Sequence, residues 1–162
     1  MAFVFNRIDC RFVHGQVGAR LVRQYNVSKI IIVDDKVAED EFMKTVFKMA
    51  SVSANVAIYS VDEAIKKNSE GKFEKGNCML LFGNVDSAYR TWQGIHYGEL
   101  DVGSIKGDDR DGTKLVTNMI YITEDEGKKL AEMKDNGCNV YFQSVPDTPV
   151  ISLEDGLKNI GL

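Results

Sequence analysis

The residues between Arg7 and Gly18 carry the clearest chemistry in the sequence. Two arginines, Arg7 and Arg11, stand close to a histidine, His14, which is followed by Gly15. Arginine presents forked N–H donors and a fixed positive charge, and both suit a phosphoryl group. A histidine ring nitrogen is a nucleophile that can carry such a group covalently. The residue types therefore predict a site for phosphoryl transfer, with a structural histidine and surface ion pairs as the alternative interpretation.

These residues lie where a strand gives way to a helix. The apolar run from Ala2 to Phe5 predicts a first strand that extends toward Ile8. The segment from Gly15 to Tyr25 has apolar residues at helical spacing and predicts the first helix. The first turn of a helix carries N–H groups without intrahelical acceptors and a partial positive charge, which together attract phosphate. The basic residues and the histidine are thus predicted to lie at a natural anion site.

Backbone and side-chain groups of this segment can each be assigned a role. We expect amides at the helix start to stabilise the charge of a moving phosphoryl group beside Arg11, with Arg7 as a second cationic candidate. Asp9 is expected to orient either Arg11 or the imidazole of His14. The residues that supply the expected amides are Gly15, Gln16 and Val17.

The rest of the chain alternates short apolar runs with longer amphipathic segments. Further strands are predicted at 29–33, 56–59, 78–82, 100–103 and 139–143, with an extended stretch within 114–122. Further helices are predicted at 38–50, 61–67, 85–92 and 123–136. This alternation predicts a single α/β domain over 1–162, with an open, twisted, mostly parallel sheet of about seven strands and helices on both faces. Ligands of such sheets bind beyond the carboxyl ends of the strands.

Burial and capping are predicted for particular segments. The charged segment 69–76 is predicted to be an exposed linker and 106–113 a solvated loop. Ser60 and a capping box that starts at Thr123 are predicted to begin two of the helices. The apolar residues of the second helix are predicted to be core, namely Phe42, Val46, Phe47 and Met49.

Asp34 and Asp35, which close the second predicted strand, have two interpretations. They could contact a ribose or a metal ion at the rim of the sheet, but a cap for the following helix is favoured. A nucleotide-binding α/β enzyme that uses this pair with Gly15 and Gly18 is therefore an alternative function, although the G-x-G-x-x-G and Walker patterns are missing. A non-catalytic regulatory domain of the same fold is a second alternative.

Composition excludes several classes of protein. The 162 residues are 44% hydrophobic and 27% charged, which fits one globular domain. A net charge of -4 argues against nucleic acid as a partner, and no apolar run is long enough to span a membrane. His96 is interpreted as a loop or packing residue, and Cys10, Cys78 and Cys138 lack zinc or disulfide spacing, so we expect no metal and no cofactor. A cytoplasmic protein with reduced thiols is the resulting expectation.

The run RIDCRFVHGQVGARLV at 7–22 resembles the signature of a family of sugar phosphotransferase system (PTS) proteins. The family comprises the enzyme IIB components of the mannose/fructose/sorbose type, which typically read R-I-D-D-R-L-I-H-G-Q-V here. The similarity continues through most of the chain, in the segments 30–42, 80–84, 100–103, 123–126 and 143–146.

The resemblance implies a cytoplasmic phosphocarrier that associates peripherally with a membrane permease. His14 would accept a phosphoryl group from the phosphohistidine of enzyme IIA, usually on the δ nitrogen. It would pass the group to a sugar held by the membrane components IIC and IID, which is the reaction of a protein-Nπ-phosphohistidine–sugar phosphotransferase. Mannose, fructose, sorbose and N-acetylgalactosamine all stay open as the sugar, and so does the oligomeric state, a homodimer included. A site that serves two protein partners should be exposed and shallow.

Five positions depart from the family pattern near the expected site. Cys10 stands where a second aspartate is usual, and Phe12 and Val13 replace leucine and isoleucine. Gly83 stands where lysine is common, and Ser104 where a second glycine is frequent. These changes leave the histidine in place, and we expect them to affect packing, partner affinity or the choice of sugar system.

Overall fold

Continuous apolar strands form the centre of the computed structural model, which describes residues 3–107 and 109–162 and, at Gln16, the backbone alone. The strands are β1 (Phe3–Asp9), β2 (Lys29–Val33), β3 (Asn55–Tyr59), β4 (Cys78–Phe82), β5 (Glu99–Ser104), β6 (Lys114–Thr117), β7 (Ile120–Ile122), β8 (Asn139–Phe142) and β9 (Ile151–Ser152). Seven of them form one sheet in the order β3-β2-β4-β1-β5-β8-β9, parallel except for the pairing of β8 with β9. The strands β6 and β7 form a separate antiparallel pair.

Helices cover both faces of this sheet. They are α1 (π-helical at Gln16–Leu21 and α-helical at Val22–Gln24), α2 (Asp35–Ala38), α3 (Glu41–Ala50), α4 (Val61–Ser69), α5 (Val85–Ile95), α6 (Glu124–Asp135) and α7 (Leu153–Asn159). Alternate residues of β2 enter different cores: Ile30 and Ile32 pack with residues of α1 and α3, whereas Ile31 and Val33 pack with residues of α4 to α7. The predicted mostly parallel sheet of about seven strands with two helical layers is confirmed.

Side-chain caps decide where the helices begin. The predicted capping residues Ser60 and Thr123 each accept a hydrogen bond from the third helical residue in a complete capping box. Asp34 caps α2 and Asp40 caps α3, so the helix predicted at 38–50 begins only at Glu41, after the separate short helix α2. The extended backbone that a cap requires at Asp40 separates the two helices.

Helix α3 departs from the predicted burial of its apolar residues. Phe47 is buried, but the side chains of Phe42 and Met49 are 74% and 78% exposed, and Val46 is also exposed. The prediction that all four residues are core is therefore wrong. Helix α3 packs on β3 at the edge of the sheet, so only the stripe of the helix that faces the sheet is covered.

The segment 69–76 is anchored rather than free. Phe73 is 1% exposed and its ring lies 5.9 Å from that of Phe3 and 6.1 Å from that of Tyr59. The prediction of an exposed linker is therefore wrong at this residue.

At the carboxyl end of the chain, β9 and α7 were not predicted, since neither is longer than seven residues. Within the described residues, every helix is too short or too polar to cross a bilayer.

Replacing the buried ring of Phe73 should cost much more stability than replacing an exposed one. We expect Phe73→Ala to lower the free energy of unfolding by about 3–5 kcal/mol, because it leaves a cavity between β1 and β3. Phe42→Ala removes the same atoms from an exposed position and should change the free energy of unfolding by less than about 0.5 kcal/mol. Urea unfolding of the two variants measures the difference, and equal losses would contradict the packing described for both rings.

Candidate active site

The segment that carries the predicted chemistry follows β1, the middle strand of the seven. Strand β1 ends at Asp9, between β4 and β5, so its loop lies at the centre of the carboxyl edge of the sheet. The amide of Cys10 donates to the carbonyl of Ser104 at 3.0 Å, which ties the start of the loop to the end of β5. The amide of Phe12 donates to the carbonyl of Asp9 at 2.9 Å and closes a tight turn.

Packing of Phe12 shapes this loop. Phe12 has a positive φ of 57°, which is uncommon for a residue with a side chain. Its ring lies 5.2 Å from that of Phe47 and rests on Gly83, where an added Cβ would overlap with it. Two of the departures from the family pattern, Phe12 and Gly83, are thus one packing arrangement: the larger ring occupies space that a side chain at position 83 would need.

Asp9 holds both the histidine and the arginine of the loop. His14 Nε2 lies 2.7 Å from Asp9 Oδ2. The other carboxylate oxygen accepts the Arg11 amide at 3.0 Å and lies 3.5 Å from Arg11 Nε. Asp9 therefore contacts both of the residues that it was expected to orient. The Asp9 side chain has no exposed surface, whereas that of His14 is 19% exposed and that of Arg11 is 43% exposed.

The charge state of Asp9 determines the tautomer of His14. Burial by itself raises the pKa of Asp9, but the hydrogen bond from His14 and the charge of Arg7 outweigh it, so the net pKa lies below the usual value. The carboxylate is then ionised at neutral pH and can only accept hydrogen bonds. The ring nitrogen that faces Asp9, Nε2, is therefore the one that donates, and in the neutral imidazole this leaves the free lone pair on Nδ1.

The helix start adds a second source of positive potential. The backbone turns helical at Gly15, and the amide of Gly18 donates to the carbonyl of His14 at 2.6 Å. The amides of Gly15, Gln16 and Val17 belong to the first turn, where intrahelical acceptors are missing. A Cβ at Gly15 would meet no atom within 4 Å, so the space beside this residue is open. The side chain of Gln16 lies outside the described residues.

Arg7 does not take the role that was predicted for it. Its side chain is 1% exposed and all five of its N–H donors are used within the protein. They bond to the carboxylates of Asp9 and Asp101 and to the carbonyls of Gln143 and Ser144. The prediction that Arg7 binds phosphate is therefore wrong. A guanidinium with five satisfied donors positions its neighbours instead of binding a ligand.

Sequence reasoning missed the residues that surround Arg7. Asp101 pairs with its guanidinium at 2.6 Å, and Gly103 leaves the room that this group needs, since a Cβ there would overlap with it. Ser104, which the sequence marked only as a departure from the family pattern, lies beside the site with its hydroxyl 3.4 Å from Cys10 Sγ. The signal that could have found them is their position at the end of a predicted strand, because β5 proved to be the neighbour of β1.

The acidic pair that follows β2 is engaged in hydrogen bonds within the protein. Asp34 accepts the amide of Val37 as a helix cap, as favoured. Asp35 accepts the amide of Val61 and pairs with Arg90 at 2.8 Å.

The second histidine, His96, has a left-handed backbone at the end of α5 and lies edge-on to Trp92. Across residues 3–107 and 109–162, no three acidic, histidine or cysteine side chains come together as metal ligands.

Comparisons with known proteins identify the family. The family model for the PTS system sorbose subfamily IIB component matches residues 3–160. The chain is 26% identical over 162 residues to the PTS system fructose-specific EIIB component of Bacillus subtilis (strain 168), covering 99% of this chain and 98% of that protein. It is 28% identical over 156 residues to the PTS system mannose-specific EIIAB component of Escherichia coli (strain K12), covering 95% of this chain and 48% of that longer protein.

A solved structure agrees with these sequence matches. The crystal structure of manxB from Thermoanaerobacter tengcongensis has a TM-score of 0.89 and 33% sequence identity, covering 99% of this chain and 97% of that one. The matches span nearly the whole chain and confirm the resemblance that its sequence motifs suggested. The chain belongs to the sorbose subfamily of PTS system IIB components.

Proposed function

We propose that this chain is a phosphocarrier in sugar uptake and that His14 takes up and passes on the phosphoryl group. The observation that carries the proposal is the 2.7 Å contact between His14 Nε2 and the buried Asp9 carboxylate. This contact assigns the ring proton to Nε2 and leaves Nδ1, which has no hydrogen-bond partner among the described residues, as the nucleophile. Membership of a PTS IIB family supports a role in sugar phosphotransfer.

The proposed step exchanges one N–P bond for another. The Nδ1 lone pair of His14 attacks the phosphorus of a donor phosphohistidine while the donor N–P bond breaks and its electron pair returns to the donor ring. The proton on Nε2 stays in place, so the His14 ring gains positive charge opposite the Asp9 carboxylate. Arg11 and the amides of Gly15, Gln16 and Val17 are positioned to neutralise the charge on the moving phosphoryl oxygens.

The partners follow from the family. Phosphorylated enzyme IIA is the proposed donor, and a relative named as an EIIAB component supports this pairing. The proposed acceptor is a sugar bound by the membrane components IIC and IID, and the proposed location of this chain is the cytoplasm, at the permease. An open surface suits two successive protein partners, and the groove beside His14 is of this kind. It is lined by Gly15, Gly18, Ala19, Arg23, Ala50, Val52 and Ser53.

Phosphorylation should occur once per chain and require His14. We expect intact mass to rise by one phosphoryl group after incubation with phosphoenolpyruvate, enzyme I, HPr and a cognate IIA. His14→Ala should stay unmodified, because no other described side chain shares this arrangement. His96→Asn, which replaces the other histidine with a residue that tolerates its left-handed backbone, should be modified like the wild type.

Two results of this experiment would count against the proposal. Modification of His14→Ala would place the phosphoryl group elsewhere in the chain. An unmodified wild type beside several IIA proteins that are themselves phosphorylated would favour the regulatory-domain alternative.

The phosphoryl group should be found on one ring nitrogen. Because Asp9 engages Nε2, we expect the phosphorus to be bonded to Nδ1. Nitrogen-15 NMR of the phosphorylated protein distinguishes the two isomers through the coupling of phosphorus to the ring nitrogens. A phosphoryl group on Nε2 would contradict the assigned tautomer.

Arg11 should matter for transfer and little for folding. Removing a donor to the developing charge lowers rates by about 10²-fold, whereas a partly exposed arginine contributes about 1 kcal/mol or less to stability. Arg11→Ala should therefore slow phosphoryl transfer from IIA by about 10²-fold with little change in unfolding free energy. Arg90→Ala is a control of similar exposure, at 38% against 43%, and should keep the wild-type rate. Equal rates for the two variants would exclude Arg11 from the transfer step.

A further inference from the structure

A row of polar side chains crosses three neighbouring strands behind the active site. Arg7 of β1 is in register with Asp101 of β5, and Asp101 is in register with Tyr141 of β8. Residues in register on adjacent strands point to the same face of a sheet. Arg7 also shares that face with Asp9, two residues further along β1. The register thus connects the His14 partner Asp9 to the interior of the sheet.

Two carboxylates compete for the guanidinium of Arg7. Asp101 Oδ2 accepts Arg7 Nη1 at 2.6 Å. Asp9 Oδ2 accepts Arg7 Nη2 at 3.2 Å and Nε at 3.3 Å, and the same oxygen is 2.7 Å from His14 Nε2. One oxygen of Asp9 is therefore shared between Arg7 and His14. A stronger hold of Asp101 on Arg7 leaves more of the Asp9 charge for His14.

Asp101 is buried and only partly satisfied. Its residue exposure is 1%, and its Oδ1 atom has no hydrogen-bond partner among the described residues. The charged groups that act on Asp101 are Arg7 and Asp9 from β1, and the backbone of Gln143 after β8 also favours its ionised form. Burial and the charges of Asp101 and Glu99 in turn raise the pKa of the nearby Tyr25 and Tyr141. A proton on Oδ1 leaves the hydrogen bond from Arg7 to Oδ2 in place.

We propose that Asp101 is a positioning residue that sets, through Arg7, how strongly Asp9 holds the imidazole of His14. The proposal rests on the proposed function, since it matters only if His14 reacts. When Asp101 is ionised, it draws the charge of Arg7 toward itself, and Asp9 keeps more of its negative charge for the His14 ring. When Asp101 is protonated, Arg7 neutralises Asp9 more fully and the hold on His14 weakens.

The protonation of Asp101 falls in an accessible range of pH. Burial raises the pKa of Asp101 to about 6, against the opposing effect of Arg7. The carboxyl is then mostly neutral below pH 6 and mostly ionised above it. Phosphoryl uptake makes the His14 ring more positive, so the ionised form of Asp101 favours the reaction. The contribution of Asp101 to the rate of phosphoryl uptake should appear as the pH rises through about 6.

A titration of the unphosphorylated protein tests this coupling without any transfer reaction. Proton NMR of the His14 ring should show that it titrates at lower pH in Asp101→Asn than in the wild type, because Asp9 is then more fully neutralised. Asp35→Asn removes a carboxylate from another arginine pair, with Arg90, and should leave the His14 curve unchanged. Coincident curves for the wild type and a folded Asp101→Asn would overturn the proposal.

A second titration needs no change at Asp101. The variant His14→Gln has no titratable group at position 14. Its Arg7 Nε–H resonance should still shift with a midpoint near pH 6 as Asp101 gains its proton. A resonance that stays constant from pH 5 to pH 8 would overturn the proposed ionisation, even if the Asp101 variant failed to fold.

The rate of transfer supplies a readout that a merely structural role would not move. Asp101→Asn should accept phosphoryl groups about two- to tenfold more slowly than the wild type at pH 8, the range expected for coupled residues in one network. The two rates should converge below pH 6. A ratio that is the same at every pH would overturn the proposal. A wild type that accepts no phosphoryl group would refute the proposed function instead, while the His14 titration would still report on the coupling.

Discussion

The buried ion pair between Asp9 and Arg7 is the interaction on which the active-site geometry depends. Both side chains are almost fully removed from water, which is costly unless the charges are paired and their hydrogen-bonding groups are satisfied. Arg7 meets this requirement with five hydrogen bonds, which connect β1 to β5 and to the segment after β8. The same pairing keeps Asp9 ionised, and an ionised Asp9 is what selects the tautomer of His14. Loss of Arg7 would remove the buried positive charge with which both Asp9 and Asp101 are paired.

Rigid and exposed parts of the site have different functions. Asp9 and Arg7 lie inside the sheet, where neighbouring strands hold them, and Asp9 contacts the ring that we propose reacts. His14 and Arg11 lie on the loop that follows and are partly exposed, as the proposed contact with a partner protein requires. Two contacts hold the loop in place. The amide of Cys10 donates a hydrogen bond to the end of β5, and the ring of Phe12 packs against Gly83. Phosphoryl transfer depends mainly on alignment and charge, so a held loop above a rigid base suits this chemistry.

Local sequence was sufficient for much of the architecture and for selecting the residue that we propose reacts. Strands such as Lys29–Val33 and Cys78–Phe82 were predicted with their observed bounds, because continuous apolar runs leave few alternatives. The helix starts at Ser60 and Thr123 followed from capping residues that act within one turn. His14, Arg11 and Asp9 were proposed together because they lie within six residues, and their contacts are local in the chain.

Tertiary structure decided the features that depend on distant parts of the chain. The local sequence predicts Arg7 as a phosphate ligand, but a hydrogen bond to Asp101, 94 residues away, holds its guanidinium inside the sheet. The burial of Phe73 and the exposure of Phe42 and Met49 depend on which strand lies at the edge of the sheet, which hydrophobic periodicity does not specify. Residue types and short spacings therefore point to the proposed nucleophile and its immediate neighbours. The charges that tune it come from strand order and register, because only these bring residues far apart in the sequence within hydrogen-bonding distance.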